Sequence, residues 1–247
     1  MHEYTPAWPH GPIQEVLPDI FVVTGTNKTR QAGIALQFSR NMTIIRSGHE
    51  LTLINTVRLG ESGLDDLDAL GSVVALVRLG AFHGRDDAFY RDRYGARLWS
   101  LGRVKHEHGA RTDRLLQPGQ PGPLQESTVF AFETSRRPEA ALHVARHGGV
   151  LLTCDSVQNW SGADRYFSPA TAKIFKAQGL LRPVNISPVW RDACRTKSFD
   201  FARLLELSFR HLISAHGPPL LDEAHARLTA TVERVFSGAK RPSSAVG

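Results

Sequence analysis

The chain has 247 residues, of which 41% are hydrophobic and 22% are charged. This composition excludes a disordered or fibrous protein and is sufficient for one substantial core. The only two cysteines, Cys154 and Cys194, exclude a disulfide framework and a cysteine-based zinc finger. No apolar run approaches the roughly 20 residues of a membrane span, and the N-terminus lacks a secretory pattern. We therefore expect a cytoplasmic protein with no membrane partner.

The net charge of +6 raises the question of nucleic-acid binding. The basic residues are scattered, often beside acids as in Gly84–Asp87, and they do not alternate with stacking aromatics. Nucleic acid is therefore not an expected partner, and a small-molecule substrate, anionic in character, fits the balance better. We predict a single domain over residues 1–237 and a flexible tail over 238–247. The pattern favours no particular oligomeric state.

The first half of the chain is predicted to be rich in β-strands. Runs of β-branched and aromatic residues lie between glycine and asparagine breaks, and Ser47–Glu50 has the composition of a hairpin turn. Threefold spacing of leucines predicts a short helix over Leu64–Gly71, and a second helix is expected over Asp86–Tyr94. The predicted strands are 20–26, 34–40, 41–47, 50–59, 72–80 and 97–101.

The second half opens with a long polar loop over residues 105–127, rich in glycine and proline. Strands are then predicted at 127–134, 140–146, 148–155 and 211–217, and helices at 160–182, 198–210 and 220–238, the last closed by Gly238. Along the chain, a β-rich segment followed by a helical segment occurs twice. This order favours two halves around one core over a strictly alternating nucleotide-binding fold.

Three predicted loops follow apolar strands and carry side chains that bind metals. They are Ala81–Asp87, Thr153–Ser156 and Ser214–Pro219. Loops at strand ends can direct polar groups from a rigid sheet into one cleft. Imidazoles and carboxylates that converge there suit a divalent ion such as zinc, iron or manganese.

Several segments together resemble the metallo-β-lactamase-fold superfamily over roughly residues 12–232. They are EVLPDIFVVTGT, NMTIIRSGHELTLINTVRL, VVALVRLGAFHGRDDAFYRDRYGARLW, GGVLLTCDSVQNW and HLISAHGPPL. The resemblance implies an α/β (α+β) fold, a four-layer αβ/βα sandwich, with a metal site at the mouth between two sheets. It also implies that Asp155 takes the place of the metal-bridging aspartate and His216 that of the terminal histidine.

The metal-binding motif of that superfamily is incomplete in this chain. The motif His-x-His-x-Asp-His aligns with Ala81, His83, Arg85 and Asp86, so that only His83 matches. The histidine expected ahead of Asp155 is missing, and the region offers Glu133, Arg136, Arg137 and Glu139 instead. This pattern is similar to the DUF4336-type branch of the superfamily, which implies no substrate.

These observations predict a metal-dependent hydrolase acting on an ester, thioester, lactone or phosphoester. A water activated by one divalent ion, zinc first and iron or manganese otherwise, would attack the substrate at an atypical, mononuclear site. The predicted catalytic residues are Asp155, Asp86 and Arg85. The predicted metal ligands are His83, Asp86, Asp87, Glu139, Asp155 and His216.

A second interpretation keeps the fold and discards the metal. The loss of most of the histidine motif is compatible with a metal-free module that binds a small molecule or another protein. In that case Asp155 caps the following turn, Asp86 or Asp87 begins a helix, and Glu139 is an ordinary turn residue. In both interpretations Cys154 is a small buried residue beside the site and not a nucleophile.

Overall fold

The computed structural model describes residues 4–120 and 122–236. Two β-sheets pack face to face and helices cover their outer faces, which confirms the predicted four-layer α/β sandwich. The seven-stranded sheet follows chain order: β1 (Gln14–Leu17), β2 (Ile20–Gln31), β3 (Ile34–Ser47), β4 (Glu50–Ile54), β5 (Ser72–Arg78), β6 (Arg97–Ser100) and β7 (Arg114–Leu115). The four-stranded sheet has the order β11–β10–β9–β8: β8 (Ser127–Ala131), β9 (Ala140–Val144), β10 (Val150–Thr153) and β11 (His211–Ser214).

The layers arise because successive side chains of a strand point to opposite faces. On β2, Ile20 and Val22 face the core between the sheets, whereas Phe21 and Val23 pack with the residues of α1 and α2. On β10, Leu151 faces the helices of the second half. The helices are α1 (Glu61–Leu70), α2 (Asp87–Tyr94), α3 (Pro169–Ala177), α4 (Pro188–Cys194), α5 (Ser198–Leu204) and α6 (Ala224–Phe236).

A long hairpin, β2–β3, replaces the separate strands predicted at 34–40 and 41–47. Its register runs without interruption from Ile20 opposite Ile45 to Gln31 opposite Ile34. Asn41 does not break the strand, because its side chain accepts a hydrogen bond from Thr24 Oγ1 at 2.8 Å. The two-residue connection has positive φ at both positions, as hairpin turns of the I′ type require.

Some local predictions are confirmed. The turn Ser47–Glu50 joins β3 to β4, and α1 ends at Leu70 beside Gly71. Among its described residues, the predicted loop 105–127 contains the two-residue strand β7 and ends at Ser127, where β8 begins. The predicted closure of the last helix at Gly238 and the tail 238–247 lie outside the described residues.

The helix predicted at 160–182 is wrong in extent, and α4 was not predicted. Both α3 and α4 begin at a Ser-Pro pair, in which the serine caps the helix and the proline takes its first position. Ser168 Oγ accepts from Thr171 N at 3.2 Å, and Ser187 Oγ accepts from Trp190 N at 3.3 Å. The helix predicted at 198–210 ends already at Leu204.

Candidate metal centre and its cavity

Three side chains from the three predicted loops meet in the structure. His83 Nε2 lies 3.2 Å from His216 Nε2 and 3.6 Å from Asp155 Oδ2. His216 Nε2 lies 3.1 Å from Asp155 Oδ1. Both imidazoles are buried and the Asp155 side chain is 13% exposed. We call these three residues the ligand cluster.

The sheet topology explains why these residues meet. Strands β10 and β11 are parallel neighbours in register, with Thr153 opposite Ser214, so Asp155 and His216 leave the same sheet edge side by side. His83 follows β5 in the other sheet. A bridge between Gly80 and Glu139 joins the His83 loop to the second sheet. The cluster therefore lies where the two sheets meet.

A hydrogen bond determines the tautomer of His216, and therefore whether the nitrogen that faces the ligand cluster carries a lone pair. Nδ1 lies 3.3 Å from the carbonyl oxygen of Ser39, which can only accept, so Nδ1 carries the proton in the neutral ring. Nε2 then has a lone pair directed at Asp155 and His83. With both rings neutral, the three facing atoms hold at most one proton, and they hold none when the His83 proton lies on Nδ1. A cation among the three atoms would attract the lone pairs that otherwise face and repel one another.

The separations within the ligand cluster fit a metal ion. Zinc lies about 2.0–2.1 Å from nitrogen and oxygen ligands, and two ligands at tetrahedral angles are then about 3.3 Å apart. The three separations observed are 3.1, 3.2 and 3.6 Å. The Cys154 thiol lies near the cluster too, because ligand atoms of His83, Cys154 and Asp155 all lie within 4.8 Å of one another.

Burial and mutual charge oppose each other in their effects on the pKa values of His83 and Asp155, and the net effect lowers both. Burial lowers the pKa of His83 to about 4, although Asp155 partly offsets the effect. Burial alone would raise the pKa of Asp155, but the imidazoles of His83 and His216 lower it below its usual range. Neutral imidazole and ionised carboxylate are the forms that bind metals.

The loop that carries His83 is held by Arg78, a buried residue at the end of β5. Its guanidinium donates to the carbonyl oxygens of Gly80, Ala81 and Lys105 at 3.1, 2.7 and 2.7 Å. Gly84 has φ +122°, and a Cβ there would lie 2.5 Å from the guanidinium carbon. The loop therefore wraps closely around one arginine, which places His83.

Glu139 supports the Asp155 loop through the backbone. Its Oε1 accepts from the backbone N–H groups of Asp155 and Ser156 at 2.9 and 2.8 Å. Oε2 is buried without a hydrogen-bond partner in the described parts of the chain, and burial together with the charge of Asp155 raises the pKa of Glu139 well above its usual value. Cys154 is fully buried beside it, and burial raises the pKa of that thiol.

Asp86 and Asp87 have other partners in the structure. Asp86 forms a buried ion pair with Arg40, accepts from Arg85 Nε at 3.2 Å and accepts from the backbone N–H of Arg58 at 3.0 Å. Asp87 Oδ1 accepts from Thr56 Oγ1 at 2.7 Å. Burial alone would raise the pKa of Asp86, but Arg40 and Arg85 lower it. Metal ligation by Asp86, Asp87 and Glu139 stays a prediction.

A cavity of about 510 Å³ opens beside the ligand cluster. Arg85 lines it, with its guanidinium 4.1 Å from the ring centre of Trp8 and donating to Asn27 Oδ1 at 2.7 Å. The predicted catalytic arginine therefore faces the cleft. Arg40, from β3, lines the same cavity.

Sequence reasoning missed several residues of this site: Trp8, Ser39, Arg40, Thr56 and Arg78. Ser39 and Arg40 lie within a strand whose sequence shows only alternation, and their partners are far along the chain. The one available signal was a charged residue, Arg40, at the junction of the strands predicted at 34–40 and 41–47, because a charge that becomes buried there requires a partner.

Comparison with solved structures identifies the fold. The chain is similar to the metallo-β-lactamase FIM-1 from Pseudomonas aeruginosa in its mono-zinc form, with 14% identity, a TM-score of 0.58, and coverage of 91% of this chain and 96% of that one. It is also similar to DIM-1 metallo-β-lactamase, with 11% identity, a TM-score of 0.59, and coverage of 94% of this chain and 100% of that one. A metallo-β-lactamase from Pontibacter korlensis is similar at 10% identity and a TM-score of 0.59, with coverage of 90% of this chain and 98% of that one. The chain has the metallo-β-lactamase fold, as the sequence resemblance predicted.

Sequence comparison adds nothing to this fold assignment, since no family model and no curated protein matches the chain. Within residues 4–120 and 122–236, none of the helices is long and apolar enough to cross a membrane.

Proposed function

We propose that the protein is a metal-dependent hydrolase with one divalent cation held by His83, Asp155 and His216. The observation that carries this proposal is the 3.1–3.6 Å spacing of three ligand atoms that have at most one proton among them when both rings are neutral. The similarity to metallo-β-lactamases, one of them in a mono-zinc form, supports the same conclusion.

The donor set of two imidazoles and one carboxylate suits zinc, which catalytic sites often bind through three protein ligands. The same set suits iron(II), and manganese accepts it as well. We propose zinc because its tetrahedral spacing matches the ligand cluster.

The partners of Asp86 support a centre with a single metal ion. In this protein Asp86 pairs with Arg40 and Arg85, so two guanidinium groups supply the positive charge next to His83. A carboxylate already paired with two arginines is a weak ligand for a second cation, and the like charges oppose its entry.

When bound, the cation supplies a Lewis acid that polarises a carbonyl or phosphoryl oxygen and makes water nucleophilic at neutral pH. Asp155 holds and orients the reacting water through its carboxylate. Arg85 binds an anionic group of the substrate and stabilises the negative charge that develops in the transition state. The carbonyl of Ser39 keeps the lone pair of His216 Nε2 directed at the cluster.

The substrate is a small molecule with an ester, thioester, lactone or phosphoester bond. The cavity of about 510 Å³ is within the size range of small-molecule sites. We place the protein in the cytoplasm, in keeping with its two free cysteines, Cys154 and Cys194.

Metal content is the first test of this function. Tag-free protein is analysed by plasma mass spectrometry beside Asp155→Asn and His216→Gln, with Asp192→Asn and His49→Gln as exposed controls. We expect near one equivalent of metal in the wild type and controls, and below about a tenth in the two cluster variants. The rates of hydrolysis of nitrophenyl esters and bis(nitrophenyl) phosphate should fall in parallel. The decrease should exceed the roughly 10- to 100-fold that is typical when a residue that only orients a metal ligand is lost.

Low metal content in the wild type would contradict this proposal. If wild type and cluster variants contain equally little metal after incubation with zinc, iron(II) and manganese, the proposed hydrolase function is wrong. The metal-free binding module predicted as the alternative would then be the better description.

A further inference from the structure

The cavity beside the ligand cluster has an apolar wall. Trp160, Phe175, Leu180 and Leu36 line it, and they belong to a separate small core cluster with Phe38 packed against it. The Trp160 ring centre lies 4.6 Å from that of His216, and the Phe38 ring centre lies 5.8 Å from it. The wall therefore begins directly at a proposed metal ligand.

The other side of the cluster is cationic. Arg40 and Arg85 both line the cavity and share the single carboxylate of Asp86, which leaves one positive charge uncompensated among these three residues. The Arg40 side chain is 4% exposed, and its buried Nε has no hydrogen-bond partner among the described residues. Over the whole lining, four cations (Lys28, Arg30, Arg40 and Arg85) face two carboxylates (Glu107 and Asp155).

The apolar and cationic parts follow one another along strand β3. Leu36, Phe38 and Arg40 are two residues apart, so they lie on the same face of the sheet and all three line the cavity. At about 3.4 Å per residue, this stripe is about 14 Å long. Along this stripe the side chains change from apolar to positively charged beside His216.

We propose that the substrate is an amphiphilic anion, with an anionic group bound by Arg40 and Arg85 and an aliphatic chain along the wall of Leu36, Phe38, Trp160, Phe175 and Leu180. This inference rests on the proposed hydrolase function, because the ligand cluster lies between the two parts. The bond to be cleaved is then the one that joins the anionic group to the chain.

The test measures binding of hexyl, octyl and decyl phosphate, with inorganic phosphate and octanol as probes of each part alone. Isothermal titration calorimetry is performed on protein stripped with a chelator, which does not hydrolyse these phosphoesters, and on zinc-loaded protein with phosphate release measured in parallel. We expect affinity to increase roughly fourfold for each methylene buried. Octyl phosphate should bind at least about tenfold more tightly than octanol, since the uncompensated guanidinium charge favours the anion.

Matched variants separate the two ends of the site. Arg85→Gln should abolish the preference for octyl phosphate over octanol and keep the chain-length increment, whereas Arg195→Gln, an exposed arginine, should change neither. Phe38→Ala should reduce the increment, with exposed Phe199→Ala as its control. Retained thermal unfolding midpoints would show that each variant is folded.

Absence of a chain-length increment in both zinc-loaded and stripped protein would overturn the amphiphile proposal. Equal affinity for octyl phosphate and octanol would do the same. Because metal content is measured separately, protein that binds zinc normally but shows no increment would refute the substrate class and leave the hydrolase function intact.

Discussion

At the scale of single residues, a buried ion pair shapes this site. Arg40 and Asp86 have side chains that are 4% and 1% exposed, and they lie 46 positions apart in the chain. Transfer of two charges out of water is costly, so each depends on the other and on the groups around them. Together with Arg85, which also pairs with Asp86, they leave one net positive charge beside His83.

Substitution of one partner should therefore be much worse than substitution of both. We expect Arg40→Met to lower the free energy of unfolding by about 3 kcal/mol, because Asp86 loses its main partner. The double variant Arg40→Met/Asp86→Asn should recover about half of that loss. Denaturant unfolding measures both quantities.

The exposed pair of Arg210 and Asp222 is the matched control. Arg210→Met should cost at most about 1 kcal/mol, since surface ion pairs contribute little. If the Arg40→Met/Asp86→Asn variant loses as much stability as the Arg40→Met and Asp86→Asn variants lose in sum, Arg40 and Asp86 act independently.

At the scale of elements, tight loops after β5 and β11 position the histidines. Gly217, directly after His216, has φ +88°. A Cβ at this position would lie 2.2 Å from the carbonyl carbon of Asn159, which is backbone and cannot rotate away. The loop of His216 and the segment after Asp155 therefore pack against each other only because residue 217 has no side chain.

We expect Gly217→Ala to move His216 away from Asp155 and to lower zinc affinity by at least about tenfold, with a stability loss above about 1 kcal/mol. Competition with a chromogenic chelator measures the affinity. Gly102→Ala is the control, because its Cβ would meet no atom within 4 Å and its φ is not positive. Equal zinc affinity in the two variants would count against this role of Gly217.

At the scale of the whole molecule, the proposed metal joins the two sheets. His83 follows β5 of the seven-stranded sheet, whereas Asp155 and His216 follow β10 and β11 of the four-stranded sheet. A ligand that binds only the folded state stabilises it by mass action. The cation should therefore stabilise the packing of one sheet on the other.

Addition of zinc to about 100 times its Kd should contribute about 2.7 kcal/mol of stability. For a domain of this size, that corresponds to a rise of roughly 5–10 °C in Tm. A chelator should reverse the rise, which differential scanning calorimetry measures. Asp192→Asn should show the same rise and Asp155→Asn none, so a full rise in Asp155→Asn would contradict binding at the ligand cluster.

Local sequence was sufficient for much of the fold. Short apolar runs such as Ile20–Val23 predict strands, and Gly71 predicts the end of α1. The boundaries of α3 and α4 could also have been read from their Ser-Pro pairs. Residues His83, Asp155 and His216 were predicted together because each follows an apolar strand, and the structure brings them together.

The sequence by itself therefore located most strands and the three loops that carry His83, Asp155 and His216, because hydrophobic periodicity and turn residues act over a few neighbouring positions. The layered α/β fold was predicted from the resemblance to the metallo-β-lactamase-fold superfamily. Only the tertiary structure decided that Arg40 pairs with Asp86, that Ser39 orients His216 and that Phe38 forms a cavity wall with Trp160. These contacts join residues 46, 177 and 122 positions apart, and the packing of the two sheets selects such partners.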